Sequence, residues 1–340
     1  ERLFARAKWL SSRDRDCRGW VARLDSSHEG PPYAMLGTAS GWRVHSQAAQ
    51  DGILRAIFDR FGVTNRQFVE FGFGYEKEAG DLTDDDMDFV MSGLNTRLLA
   101  KRGWSGTYFD AVVSNTQYNV RRAVLSEGNI ASQFAAAGVR KDVDYVSIDV
   151  DSIDVWLLNG LLRDGFRPRV ISCEYNGNFA WDQAVAANAT WRKFNWQSMF
   201  GGSAAAFDHV ARRYGYQLMY LMSYFDLFLV RSDVLAASCD PDTVPTLKQQ
   251  GNKKLPTKQH MPCTLEDASW MVDVPLMLSG KPVAARHRAA RAIVKAGERL
   301  AELKKQKLRP TCCRLTGSPI CTPETVTSLR AMLSSAEGDA

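Results

Sequence analysis

Between about residue 45 and residue 232 the apolar positions follow two alternating rhythms. In QDGILRAIFDRFG, Ile53, Leu54, Ile57, Phe58 and Phe61 mark one face of a helix that Gly62 closes. QFVEFG follows as a short strand, then NTRLLAKRG as a helix and GTYFDA as a strand. A weaker strand and helix span Val120 to Ala137. Strand VDYVSIDV, helix DVWLLNGLLRDG and strand RVISCEYN come next, and helix GSAAAFDHVARRYG leads into strands YQLMYLM and DLFLVRS. Short apolar runs alternating with amphipathic helices predict a mostly parallel sheet with helices on both faces. The last two strands are separated by too few residues for a crossover, so they are expected to pair antiparallel.

The flanks read differently. Residues 1–25 suggest an Arg-rich amphipathic helix with Leu3, Phe4, Trp9, Leu10, Trp20 and Val21 as its apolar points, and SSHEGPPYAMLGTASG reads as loop. Beyond Asp233 a Pro-, Lys- and Gln-rich stretch reads as a connection. Ala289, Ile293, Ala296, Leu300 and Leu303 then recur at 4-3-4-3 spacing in a basic helix, a narrow seam suited to a partner helix or to docking on the body. The expected organisation is an N-terminal helical extension (1–44), an α/β domain (45–235), a linker (236–280) and a basic helical C-terminal extension (281–340).

The chain of 340 residues is long enough for a substantial core, and 45% hydrophobic with 24% charged residues is ordinary globular composition. No window approaches the uncharged apolar length of a membrane span. The start at Glu1 suggests a processed or cropped terminus. The seven cysteines show no paired spacing, so reduced thiols are expected, and Cys312, Cys313 and Cys321 lack the histidines or CxxC of a zinc site. From Lys281 to Arg309, ten Lys/Arg against two Glu give +8 of a total of +5, leaving a body at −3. That basic segment is expected either to be a solvated helix face or to meet RNA, an anionic surface or an acidic protein partner. Arginine outnumbers lysine about twofold, which fits an organellar, for example mitochondrial, protein or a GC-rich genome.

The expected strand ends carry the chemistry. FVEFGFG places Glu70, Gly72 and Gly74 where the first strand stops, either as a tight turn or as a close backbone approach to a ligand. The next strand ends in Asp110, a later one in Asp149 with Asp151 and Asp154 beyond, and another in Glu174, Tyr175 and Asn176. Carboxylates at several parallel strand ends point to one polar crevice. For Asp151 and Asp154, capping the following helix is the competing explanation. A dinucleotide dehydrogenase is disfavoured: GxGxxG is incomplete, and Asp110 lies well beyond the usual ~20 residues from the glycines.

SQAAQDGILRAIFDRFG, FVEFGFG, NTRLLAKRGWSGTYFDA, VDYVSIDVDSIDVWLL, PRVISCEYN and GGSAAAFDHVARRYGYQLMYL follow in order the pattern of the FkbM-type S-adenosylmethionine-dependent methyltransferases, which the chain resembles from about Ser46 to Ser232. The resemblance implies a Rossmann-like class I methyltransferase sheet with an antiparallel last strand, and S-adenosyl-L-methionine as cofactor. It implies that Glu70, Gly72 and Gly74 border the methionine part, that Asp110 holds the ribose, and that Asp149 lies near the methyl group. Asn95 and Thr96 match the family's NT, and Gln47, Gln50 and Asp51 its leading segment. Two departures stand out: the acidic insertion from Tyr75 to Leu94, either a lid or a plug, and Ser152 where the family has glycine. For catalysis, Asp149 or Glu174 is expected as base, Tyr175 or Asn176 as positioner of the acceptor, and His45 as an alternative base. The expected activity is methyl transfer to a small molecule or other hydroxyl-bearing acceptor. The alternative is a catalytically silent methyltransferase-fold subunit of a larger complex, organellar or ribonucleoprotein.

Overall fold

The computed structural model describes residues 15–26, 44–72, 93–177, 179–190, 201–222, 226–254 and 270–305. Gly74, most of the acidic insertion, Cys263 and the cysteines at 312, 313 and 321 lie outside them.

Seven strands form one sheet: β1 (Gln67–Phe71), β2 (Ser105–Asp110), β3 (Val120–Arg122), β4 (Tyr145–Ile148), β5 (Val170–Glu174), β7 (Tyr216–Leu221) and β8 (Asp226–Arg231). Their spatial order is β3-β2-β1-β4-β5-β8-β7. β1 to β5 pair in parallel, whereas β8 runs antiparallel to both β5 and β7. This is a mixed α/β fold with a mostly parallel sheet, consistent with a Rossmann-like architecture, and the short β7–β8 connection does force the antiparallel pairing.

The strands are apolar on both sides because both faces are covered. Val69, Phe71, Val146, Ile148 and Ile171 point into one core. It is closed by α4 (Ile130–Ala136), α5 (Asp154–Arg163) and α6 (Ala204–Arg213). Phe68, Tyr145, Val170 and Phe228 point into the other. That side is covered by α1 (Cys17–Ser26), α2 (Gln50–Phe61), α3 (Arg97–Lys101) and α7 (Ser232–Ser238). In the first core Phe134 stacks on Phe109 at 5.5 Å between ring centroids and meets Phe71 and Phe166 edge-on. Full burial of each such ring contributes about 2–3 kcal/mol.

Local signals set the element ends. Gly62 stops α2 with φ 71°, its N–H bonded to the Phe58 carbonyl. Ser203 caps α6 by accepting from the Ala206 N–H. The approach to β1 is tied by Asp144, fully buried at the foot of β4, which accepts from the backbone N–H groups of Thr64, Asn65 and Arg66.

Two expectations need correction, and one open alternative is resolved. First, Cys17 and Cys239 form a disulfide, so two of the seven cysteines are not thiols; their separation of 222 residues left no local spacing to read. Cys173 is a buried free thiol. Second, the stretch 236–280 is not a bare connection. It contributes α8 (Leu247–Lys254), whose Gln250 accepts from the Leu221 N–H, and β9 (Met271–Asp273). β9 pairs antiparallel with β6 (Val185–Ala187) as a second, two-stranded sheet, and α9 (Val274–Leu278) follows. Third, the basic helix α10 (Pro282–Lys305) docks its start on the body: Ala285, Ala289 and Ile293 are completely buried. The seam residues Ala289 and Ile293 are therefore used within the chain, while the side chains of Ala296, Leu300 and Leu303 lie outside the described set. No helix among the described residues is long and apolar enough to cross a membrane.

Candidate functional site

The carboxyl ends of β1, β4 and β5 lie along one edge of the sheet. Antiparallel β8 brings its first residue, Asp226, to that same edge, directly opposite Glu174. Glu70 is buried, and its carboxylate accepts from the Asn95 N–H at 2.8 Å, from the Thr96 N–H at 3.1 Å and from the Thr96 hydroxyl. The Asn95 side-chain amide in turn donates to Ser147 Oγ and to Asp226 Oδ2, each at 3.1 Å. Ser147 continues to Ser172 and Tyr145. Glu70, Asn95 and Thr96, separate motifs in the sequence, thus form one hydrogen-bonded unit whose far end is Asp226.

Burial raises the Glu70 pKa from its ordinary range to about 7; the Thr96 and Asn95 donors pull it back and the Asp226 charge pushes it further up. Asp149, at the end of β4, is pushed well above the carboxylate range by burial of its carboxyl group and then by Glu174, Asp151, Asp154 and Asp226. Among the described residues, the neighbouring charges that move Asp149 most are all carboxylates. Single oxygens of Asp149, Asp151 and Glu174 lie within 4.8 Å of one another, donors of the hard type that a divalent cation also accepts.

Gly72 answers the question posed by its motif. Its φ is 74°, and a Cβ there would lie 2.3 Å from the Asp149 carbonyl oxygen. Glycine is required because the ends of β1 and β4 meet backbone to backbone. Asp110 turns one carboxylate oxygen onto the N–H groups of Val112 and Val113, at 2.7 and 2.9 Å, so it also shapes its own turn. Asp154 does the same beyond β4: its oxygens accept from the Val150 and Ser152 N–H groups, and burial raises its pKa to about 7. Ser152 stands in this turn with its hydroxyl on the Val150 carbonyl, and Asp151 beside it has a left-handed φ of 54°.

Other candidates have structural duties. Tyr175 is fully buried with its hydroxyl donating to the Met222 carbonyl at 2.7 Å, so it anchors the end of β7 rather than facing an acceptor. Asn176 is buried, with its N–H bonded to the Gly202 carbonyl. In the leading segment, Asp51 Oδ2 gathers the N–H groups of Val44, His45 and Ser46, and the Gln50 side chain accepts from Ala48. A Cβ on Gly93 would meet Gln47, which sets this segment beside the Asn95 turn. His45 is held by its own backbone, and burial first, then Lys101, lowers its pKa, partly opposed by Asp51.

The chain matches no protein-family model and no curated protein. Asp226 is the residue that reading strand ends missed, since it opens its strand. The signal was available: once β8 is antiparallel, its first residue arrives where its neighbours finish.

Proposed function

We propose that the protein is an S-adenosylmethionine-dependent methyltransferase acting on a hydroxyl-bearing acceptor. The observation that carries this reading is the convergence of Glu70, Asp149, Glu174 and Asp226 from four strands on one sheet edge. Crowded, partly desolvated carboxylates raise one another's pKa, and a cation placed among them relieves that cost. A sulfonium with an α-ammonium group is such a ligand. The strand order with antiparallel β8 supports the same reading, because it is the sheet expected from the family resemblance.

In this scheme the Glu70–Asn95–Thr96 unit holds the loop beside the amino-acid end of the cofactor, and Asp110 takes the ribose. The cofactor supplies an activated methyl group. Asp149, with Glu174 beside it, takes the acceptor's proton, and burial together with the neighbouring carboxylates raises its affinity for that proton. Tyr175 serves by packing.

One observation favours a second reading, a silent methyltransferase-fold subunit of a larger complex. Glu70, Asp110 and Asp154 each spend carboxylate oxygens on backbone N–H groups of their own chain. In that case the basic segment 281–309 serves as the contact for an RNA, an anionic surface or an acidic protein, with an affinity that falls steeply with salt.

Calorimetric titration with S-adenosylmethionine separates the two. The enzyme reading expects saturable binding that weakens at least about tenfold, roughly 1.4 kcal/mol, in Asp149→Asn. A folded parent protein that takes up no S-adenosylmethionine overturns it.

A further inference from the structure

We propose that the Cys17–Cys239 disulfide is a redox-controlled clasp for α1, opened by a dithiol reductant, with Arg60 stabilising the thiolate that leaves. The bond joins the first residue of α1 to the residue following α7, and both cysteines are completely buried. Around it α1 is held to the body by side-chain packing and hydrogen bonds. Trp20 and Val21 are buried on the second core, Trp20 meeting Phe61 edge-on at 5.7 Å. The Arg15 guanidinium reaches the carbonyls of Ala236, Ala237 and Cys239 at the end of α7, and Arg18 reaches that of Asp242. The Arg15–Asp240 ion pair is exposed on both sides and contributes little. A helix of ten residues is not stable by itself in water, so its order depends on this docking.

Arg60, in the last turn of α2, gives the clasp its chemistry. One of its terminal nitrogens lies 3.1 Å from Cys17 Sγ and 3.2 Å from the Ser238 carbonyl, and its guanidinium sits 5.4 Å from the centroid of the Trp20 ring. A guanidinium beside a sulfur favours the thiolate, which makes that sulfur the better leaving group and stabilises the reduced form. In the proposed exchange, a reductant thiolate attacks Cys239 Sγ and forms a mixed disulfide there, while the electron pair of the broken bond leaves with Cys17 beside Arg60. The reductant's second thiol then resolves the mixed disulfide. Cys239 is released as a thiol carrying the proton of that second thiol, Cys17 stays a thiolate beside Arg60, the two reductant sulfurs join, and two electrons and one proton have passed to the protein. Because both sulfurs are buried, attack requires α1 to lift, so exchange is gated by its undocking.

The test uses the full chain purified without reductant. Alkylation and peptide mapping are expected to find Cys17 linked to Cys239, and dithiothreitol is expected to release both. Peptide-level hydrogen exchange is expected to accelerate at least about tenfold over α1 on reduction, while β4 and β5 keep their protection. A fall in Tm of roughly 5–10 °C should accompany the loss of so long a cross-link. In dithiothreitol redox buffers, Arg60→Met should need about a tenfold more reducing ratio for half-opening, ~30 mV, and Arg60→Lys should stay near the parent. The proposal is overturned if the linked peptide is absent, if α1 exchange is unchanged by reduction, or if Arg60→Met opens at the parent's midpoint. Loss of protection throughout β4 and β5 on reduction also overturns it, since the bond would then be a condition of folding and not a local clasp.

Discussion

Glu70 offers a quantitative test of the site's electrostatics. Its pKa rises from 4.5 in the open chain to about 7 in the fold, chiefly because its carboxylate is buried. The folded protein therefore holds a proton that the unfolded chain releases as pH climbs through this window. Stability from this group is fully present below about 4.5, falls at up to about 1.4 kcal/mol per pH unit, and is gone above about 7. The total is about 3 kcal/mol, since each tenfold gain in proton affinity on folding is worth about 1.4 kcal/mol. Asp154, raised from 3.8 to about 7, and Asp149, raised well above the carboxylate range, add slopes of the same sign, so the parent curve contains all three. Glu70→Gln isolates one of them. The neutral amide accepts through a single oxygen, so one of the Asn95 and Thr96 N–H groups faces an amide donor, costing about 1–3 kcal/mol at low pH. From about pH 5 to about pH 8 the parent should lose stability relative to the variant by about 3 kcal/mol, closing or reversing that gap. Urea unfolding followed by tryptophan fluorescence at intermediate pH steps measures both curves. Parallel curves would refute the assignment of a half-titrating buried carboxylate at Glu70.

Further outcomes follow from packing. Gly72→Ala places a methyl group 2.3 Å from the Asp149 carbonyl oxygen at a left-handed φ, and should cost about 3 kcal/mol or more; a Tm within about 2 °C of the parent would remove the backbone-contact explanation. Phe134→Ala empties the centre of the Phe71, Phe109 and Phe166 cluster and should cost about 3–5 kcal/mol by urea unfolding, so a cost below about 1 kcal/mol would mean that the rings repack. Ending the chain after residue 269 removes β9, α9 and α10, uncovers Val185 and Ala186, and should abolish a single cooperative transition; calorimetry showing one sharp transition would contradict the docking of α10.

The central sheet was legible because every strand but β3, which is only Val120-Arg121-Arg122, is a local apolar run and each intervening helix carries its own periodicity. Even β8's reversal could be read, since it follows from the shortness of one connection. The parts that escaped reading depend on contacts between distant residues. Nothing in the spacing of Cys17 and Cys239 announces their bond, because 222 residues separate them and only the docking of α1 beside α7 makes them neighbours. β9 is three residues long, too short for a period-2 pattern, and is held as a strand by its pairing with β6. At the site, acids at strand ends were readable as residue types, but not how they use their oxygens. Glu70 binds its own chain's N–H groups, Asp110 folds its own turn, and Tyr175 turns its hydroxyl inward to Met222.

The β6–β9 pairing also bears on how the chain matures. A ribosome releases β6 well before β9 leaves the exit tunnel, and during that interval the nascent domain displays a bare strand edge of Val185, Ala186 and Ala187. The last piece to seat is therefore a C-terminal one, and a polypeptide stalled short of Met271 carries an uncapped ribbon that chaperones can recognise and that other nascent chains can capture.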